Sequence, residues 1–210
     1  MHLQGCSPMQ KQEYEIVIFD LGRVLFNWNP YQSAQDLIQS DPSFDLAIYT
    51  ITQTPFWNLF DLGYISSKEM IEYFSEKFPS HHLSLFFEKV KEDLTIIDFG
   101  LEVLEKAQKK GCRTYILSNL SGEFHEWLTH KYPFLQTFNG AVFSYQIHKM
   151  KPDFQIYRYL LDKYQLNPQN CLFIDDLEVN VFSAEKVGID SILFEINDKI
   201  KEQLILKGLG

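Results

Sequence analysis

Six polar positions carry the chemical content of this sequence: Asp20, Ser118, Asn119, Lys151, Asp175 and Asp176. A carboxylate can attack phosphorus and divide a hydrolysis into two easier steps through an aspartyl-phosphate. Carboxylate and phosphate repel, so such a site needs a divalent cation held by oxygen ligands, Mg²⁺ being the natural choice. The transferring oxygens gather negative charge that a lysine and a hydroxyl stabilise. Asp20, Asp175 and Asp176 supply the anionic oxygens, and Ser118, Asn119 and Lys151 the donors.

Each residue also has an ordinary explanation. Asp20 can be a turn acid, Ser118 and Asn119 can cap the following helix, Lys151 can be a solvated lysine, and Asp176 can be an N-cap. What separates the readings is order, because each group follows an apolar run that reads as a buried strand. Ligands of open parallel sheets bind beyond the carboxyl ends of strands.

The elements behind these residues follow from hydrophobic patterning. Ile16 to Phe19 is fully apolar, as a strand buried on both faces must be. Leu101, Val103, Leu104 and Ala107 fall at helical spacing, and Gly111 is a helix stop. Strands are expected at Thr114–Leu117, Ala141–Phe143, Cys171–Ile174 and Ser191–Phe194. One helix is expected through Phe154, Ile156, Tyr157, Leu160 and Leu161, and another through Val179, Phe182, Ala184 and Val187. Alternating helices and apolar strands predict an α/β fold: a Rossmann-like parallel sheet with helices on both faces. Residues 30–94 lack buried-strand runs. They contain a Ser66/Glu69 capping-box pattern, then Met70, Ile71, Phe74 and Phe78, then Leu83, Phe86, Phe87 and Val90 at helical spacing. This stretch is expected to be a small helical cap inserted after the first strand, with the hydrolase core in 15–29 and 95–210. Residues 1–14 are expected to be a disordered leader, with Met9 a candidate second start.

Composition narrows the partners. Lys plus Arg is 19 against 28 Asp plus Glu, a net charge of −9, which disfavours a nucleic-acid backbone as partner. Apolar residues make up 45%, with 18 Phe and 11 Tyr, enough for a sizeable core. Three scattered cysteines form no disulfide or zinc pattern, and no run is long enough to span a membrane, so a cytoplasmic protein is expected. Five of the six histidines, His81, His82, His125, His130 and His148, show no metal or triad spacing.

The motifs together resemble the haloacid-dehalogenase (HAD) superfamily from Glu15 to about Glu195. Phe19-Asp20-Leu21-Gly22-Arg23-Val24 resembles its first motif and Leu117-Ser118-Asn119 its second. Lys151-Pro152 resembles the third, and Phe173-Ile174-Asp175-Asp176 with Asn180 the fourth. The resemblance implies Asp20 as nucleophile and Ser118, Asn119 and Lys151 as phosphate ligands. It implies Mg²⁺ held by Asp20, the Gly22 carbonyl, Asp175 and Asp176. Residues 30–94 look like the family's first cap class, and Phe60-Asp61-Leu62-Gly63-Tyr64-Ile65-Ser66 resembles a turn of such caps. The resemblance therefore implies a phosphatase acting on a small phosphorylated metabolite.

One departure matters. The usual motif carries a second aspartate, the general acid–base, where this chain has Gly22. General acid–base catalysis typically contributes about 10²–10⁴-fold, roughly 3–5 kcal/mol of barrier. An Asp-x-Gly motif is similar to that of sugar-1-phosphate phosphatases and of the N-terminal phosphatase domain of soluble epoxide hydrolases. Three outcomes stay open: a phosphatase for an activated ester such as a sugar 1-phosphate, a non-catalytic phosphate-binding regulatory module, or a 2-haloacid dehalogenase. The Asp175-Asp176 pair argues against the last, because uncompensated carboxylates would repel nucleophile and substrate alike. A receiver-type signalling domain would carry its acidic pair early, not late. Arg23 is expected to be exposed, and Trp28, Tyr31, Phe56, Trp57 and Tyr64 to serve mainly in packing. Hinges are expected near Asn27–Pro30 and Asp93–Gly100.

Overall fold

The computed structural model describes residues 14–209; residues 1–13 of the expected leader lie outside these, while its last residue, Tyr14, is buried in the core. Five parallel strands form one sheet: β1 (Ile16–Phe19), β2 (Arg113–Ser118), β3 (Gly140–Phe143), β4 (Cys171–Asp175) and β5 (Asp190–Leu193), in the order β3-β2-β1-β4-β5. The chain reverses direction of winding at β1, so the crevice for a ligand opens beyond the ends of β1, β2 and β4. Every residue of β1 is at most 1% exposed, which explains its unbroken apolar run. Val17, Phe19, Ile116, Leu172 and Ile174 pack on one face with Val103, Leu104, Phe124 and Leu128. Ile16, Ile18, Leu117 and Phe173 pack on the other with Ile156, Tyr157 and Leu160. Burial of such a side chain stabilises by about 1.5–3 kcal/mol, so β1 is held from both sides.

Two expectations need correction. Helix Glu178–Lys186 forms, but Val179 and Phe182 are each 53% exposed while Asn180, Ser183 and Ala184 turn inward. Asn180 Nδ2 donates to Asp175 Oδ1 at 2.9 Å, and its carbonyl accepts from the Tyr157 hydroxyl at 3.0 Å. A polar requirement of the site overrides the apolar periodicity. The last strand begins one residue earlier than expected, and a helix unread in the sequence, Asp198–Leu206, buries Ile200 and Leu204.

Between β1 and β2 the chain is helical: Pro30–Ser33, Gln35–Ser40, Asp45–Gln53, Pro55–Asp61, Ser67–Ser75 and Ser80–Asp93 precede the helix Asp98–Lys109. Ser66 and Glu69 form the expected capping box. Trp57 sits among Trp28, Phe60, Phe86, Phe87 and Phe124 at centroid distances of 5.5–6.2 Å. Phe124 belongs to the helix Gly122–Lys131, which follows β2, so this cluster joins the helical segment to the sheet. Tyr64, by contrast, is exposed and stacks on His148.

The two strands of chain expected to be hinges lie side by side. Asn27 N donates to the Thr95 carbonyl at 2.8 Å and Ile97 N to that of Leu25 at 2.8 Å. Gly100 presses against the loop after β1, where a Cβ would stand 1.9 Å from the Val24 carbonyl oxygen. No helix among the described residues is long and apolar enough to cross a membrane.

Candidate active site

Strand ends deliver five of the six predicted residues to one place, and a loop delivers the sixth. Asp20 follows β1, Ser118 ends β2, Asn119 comes next, and Asp175 ends β4 with Asp176 after it. Lys151 enters from the loop between β3 and the helix Phe154–Tyr164, pinned by Asn119. The Asn119 amide donates to the Lys151 carbonyl at 2.9 Å, and Lys151 N donates to Asn119 Oδ1 at 2.8 Å. Asn119 thus positions the lysine through its backbone while lining the same cavity. The Lys151 ammonium, 1% exposed, lies 2.8 Å from Asp20 Oδ1 and donates to Asp175 Oδ2 at 2.6 Å.

The ordinary explanations of these residues do not hold. The cap of helix Gly122–Lys131 is Ser121, whose hydroxyl accepts from Phe124 N at 3.3 Å, not Ser118 or Asn119. Asp175, not Asp176, receives the Leu177 N–H at 2.9 Å. Lys151 is buried rather than solvated.

Electrostatics explain what this cluster lacks. One carboxylate oxygen from each of Asp20, Asp175 and Asp176 lies within 4.8 Å of the others. Three carboxylates face one buried lysine and, at the rim, Arg23, which leaves one formal negative charge in excess. Burial and then the neighbouring Asp175 charge raise the Asp20 pKa, against the pull of Lys151. Asp176 is pushed up to about 6 by burial, then by Asp20 and Asp175. For Lys151, burial would favour the neutral amine, but the charges of Asp175 and Asp20 outweigh it and hold the ammonium. Asp20 Oδ1 is buried and accepts no hydrogen bond of regular geometry. Oxygen donors and excess negative charge fit a hard divalent cation such as Mg²⁺.

Arg23 is at once exposed and engaged. Its side chain is 63% exposed, yet Nε lies 3.4 Å from Asp176 Oδ2, and its backbone takes a left-handed φ of 55°. None of the described histidines joins the carboxylate cluster; His125 Nδ1 instead meets the Tyr145 hydroxyl at 3.0 Å, and burial lowers its pKa.

The sequence reading missed two features. A cavity of about 310 Å³ holds Asp20, Ser118, Lys151 and Asp176 against apolar walls from Phe26, Trp28, Leu94, Leu120, Leu128 and Met150. These residues are scattered along the chain, and no spacing in the sequence connects them. The second feature is Asp61, quoted above only within a cap-like turn, which lines the same cavity from the end of helix Pro55–Asp61. Its one signal was an acid inside an otherwise apolar turn. A larger, more polar cavity of about 920 Å³ meets the first at Arg23, Trp28 and Asp176, and is lined further by Asn27, Gln32, Gln53 and Thr95.

Comparison with known proteins agrees with this arrangement. The family description of haloacid dehalogenase-like hydrolases matches residues 16–188. The drimenol cyclase drtB of Aspergillus calidoustus is 27% identical over 194 residues, covering 90% of this chain but only 35% of the relative. The chain thus spans about a third of that relative's length. The sesquiterpene phosphatase astK of Aspergillus oryzae is 25% identical over 179 residues, covering 84% of this chain and 87% of the relative. Among solved structures, the HAD family enzyme bt-2542 of Bacteroides thetaiotaomicron, in complex with magnesium and inorganic phosphate, aligns with TM-score 0.69 and 20% identity, covering 88% of this chain and 96% of that one. The L-2-haloacid dehalogenase of Xanthobacter autotrophicus aligns with TM-score 0.62 and 14% identity, covering 94% and 84%. At these identities the solved structures speak to the fold alone. The family match over most of the chain, on the fold and strand-end residues described above, makes this protein a member of the haloacid dehalogenase-like hydrolases.

Proposed function

We propose that this chain is a Mg²⁺-dependent phosphatase that hydrolyses a phosphate ester of a small apolar alcohol through an aspartyl-phosphate on Asp20. The observation that carries this reading is one cavity lined by Asp20, Lys151 and Asp176, with Lys151 paired to Asp20 and to Asp175 behind it, and with its remaining walls largely apolar. Asp20 attacks phosphorus, Lys151 and Ser118 neutralise the transferring oxygens, and the apolar wall receives the organic group. Asp20, the Gly22 carbonyl, Asp175 and Asp176 would hold Mg²⁺, which supplies charge neutralisation between nucleophile and phosphate. Asn119 and Asn180 hold Lys151 and Asp175 in place. The helical segment 30–94 acts as a cap that excludes water from the transfer. The name of the relative astK, a sesquiterpene phosphatase, supports an apolar ester.

A second reading keeps the sugar 1-phosphate implied by the Asp-x-Gly motif. The larger cavity favours it, since the side chains of Asn27, Gln32, Gln53 and Thr95 offer hydrogen bonds to hydroxyls. A panel of terpenyl, alkyl and sugar 1-phosphates, assayed with Mg²⁺ and with chelator, separates the two. The expected result is metal-dependent release of phosphate, fastest from apolar esters and lost in Asp20→Asn. Preference for sugar phosphates would transfer the assignment to the second reading. Undiminished turnover by Asp20→Asn would remove the nucleophile, and with it both readings.

A further inference from the structure

We infer that the carboxyl group of Asp61, supplied by the helical segment and not by the first motif, is the proton donor to the leaving-group oxygen. This rests on the phosphatase reading above and supplies the function that Gly22 leaves vacant.

Three aspartates are buried among the described residues: Asp20, Asp61 and Asp175. Lys151 pairs with Asp20 and Asp175, whereas Asp61, 8% exposed, forms no ion pair. An isolated buried carboxyl takes a proton rather than remain charged. As the acid it carries an O–H donor. Its pKa is accordingly raised to about 8, by burial first and by the Asp20 charge, against the pull of the Ser121 backbone N–H and the Trp57 indole. Asp61 and Asp20 line the same cavity from different elements, so a substrate held by one is within the reach of the other.

Its placement is fixed. The Ser144 hydroxyl donates to the Asp61 carbonyl at 2.5 Å, and His148 Nδ1 meets the Leu62 carbonyl at 2.8 Å. Two bonds from Ser67, its backbone N–H at 2.9 Å and its hydroxyl at 2.6 Å, go to Glu123. These contacts tie the end of helix Pro55–Asp61 to the elements following β2 and β3. A proton donor needs such fixed support.

The step balances. Asp20 Oδ forms a bond to phosphorus while the bond from phosphorus to the ester oxygen breaks. The electron pair stays on that oxygen, which takes the Asp61 proton and departs as the alcohol. Asp61, now a carboxylate, accepts a proton from water as the water oxygen attacks phosphorus. The bond between phosphorus and Asp20 then breaks, regenerating both aspartates and releasing inorganic phosphate.

The test is rapid-mix kinetics of wild type and Asp61→Asn with Mg²⁺, using an alkyl phosphate and p-nitrophenyl phosphate. Nitrophenolate leaves as a stable anion and needs no proton. For Asp61→Asn the expected result is a stoichiometric nitrophenolate burst at a rate within about threefold of wild type, then a steady state slower by at least tenfold. Transfer from the alkyl ester should fall by about 10²-fold or more. Asp61→Glu should recover part of it. A nitrophenolate burst slowed as much as the alkyl reaction would show that Asp61 only positions the site. Unchanged alkyl turnover would show that it does nothing. Either result overturns the inference. A wild type inactive on both esters would instead refute the phosphatase reading beneath it.

Discussion

Lys151→Met is the perturbation that interrogates the site most directly. Met is close to lysine in length and carries no charge, so packing is nearly preserved. The ammonium contacts two carboxylates at 2.8 and 2.6 Å. At an effective dielectric of about 20 each contact is worth roughly 6 kcal/mol before desolvation is counted. Breaking a buried pair by removing one partner costs about 3–5 kcal/mol, because an uncompensated charge stays behind. For a chain of this size that corresponds to a fall in melting temperature of roughly 6–20 °C. The loss depends on pH. Without the lysine, Asp20, whose pKa burial already raises, takes a proton more readily, so the penalty is largest near pH 8 and shrinks as falling pH protonates it. It also depends on Mg²⁺. If the cation binds the same carboxylates, it restores part of the missing charge, and saturating Mg²⁺ stabilises the variant more than the wild type. The assay is thermal unfolding at pH 5.5 and pH 8, each with Mg²⁺ and with chelator. A loss under 1 kcal/mol at pH 8, or identical Mg²⁺ stabilisation of both proteins, would refute the electrostatic account of the site.

Three further outcomes are expected. In the Asp61→Asn background, Gly22→Asp should return alkyl phosphate turnover by about tenfold or more; the added Cβ meets Trp28 Cγ at 3.4 Å and needs little adjustment, and steady-state kinetics would read the gain. Mg²⁺ affinity should weaken as pH falls below about 6, where Asp176 takes up a proton that must leave before the metal binds; titration calorimetry at pH 5 and 7.5 would show equal affinities if the carboxylate is not a ligand. Removing the Asn180 side chain with Asn180→Ala should destabilise by about 1–3 kcal/mol, since Asp175 Oδ1 loses a buried donor; chemical denaturation would measure it, and a value near zero would mean that another donor takes its place.

What the sequence determined was the scaffold and the strand-end chemistry. Strand β1 is legible because burial on both faces demands an apolar residue at every position, and Asp20 is legible because the run stops there. Lys151, Asp175 and Asp176 are legible for the same reason: the sheet's topology fixes where strand ends meet, so local order implies spatial convergence. Tertiary structure alone decided the rest. Helix Glu178–Lys186 points polar residues inward because Asp175 needs a donor there, a demand that no apolar period can encode. That Asn119 holds the Lys151 backbone was also invisible in the sequence, since its partner is 32 residues away. The protonation of Asp61 is also a tertiary property. An acid in an apolar turn does not declare its charge, but folding removes its water and brings it no cation. A carboxyl group's identity is written in the chain, whereas its charge depends on the neighbours that folding assembles.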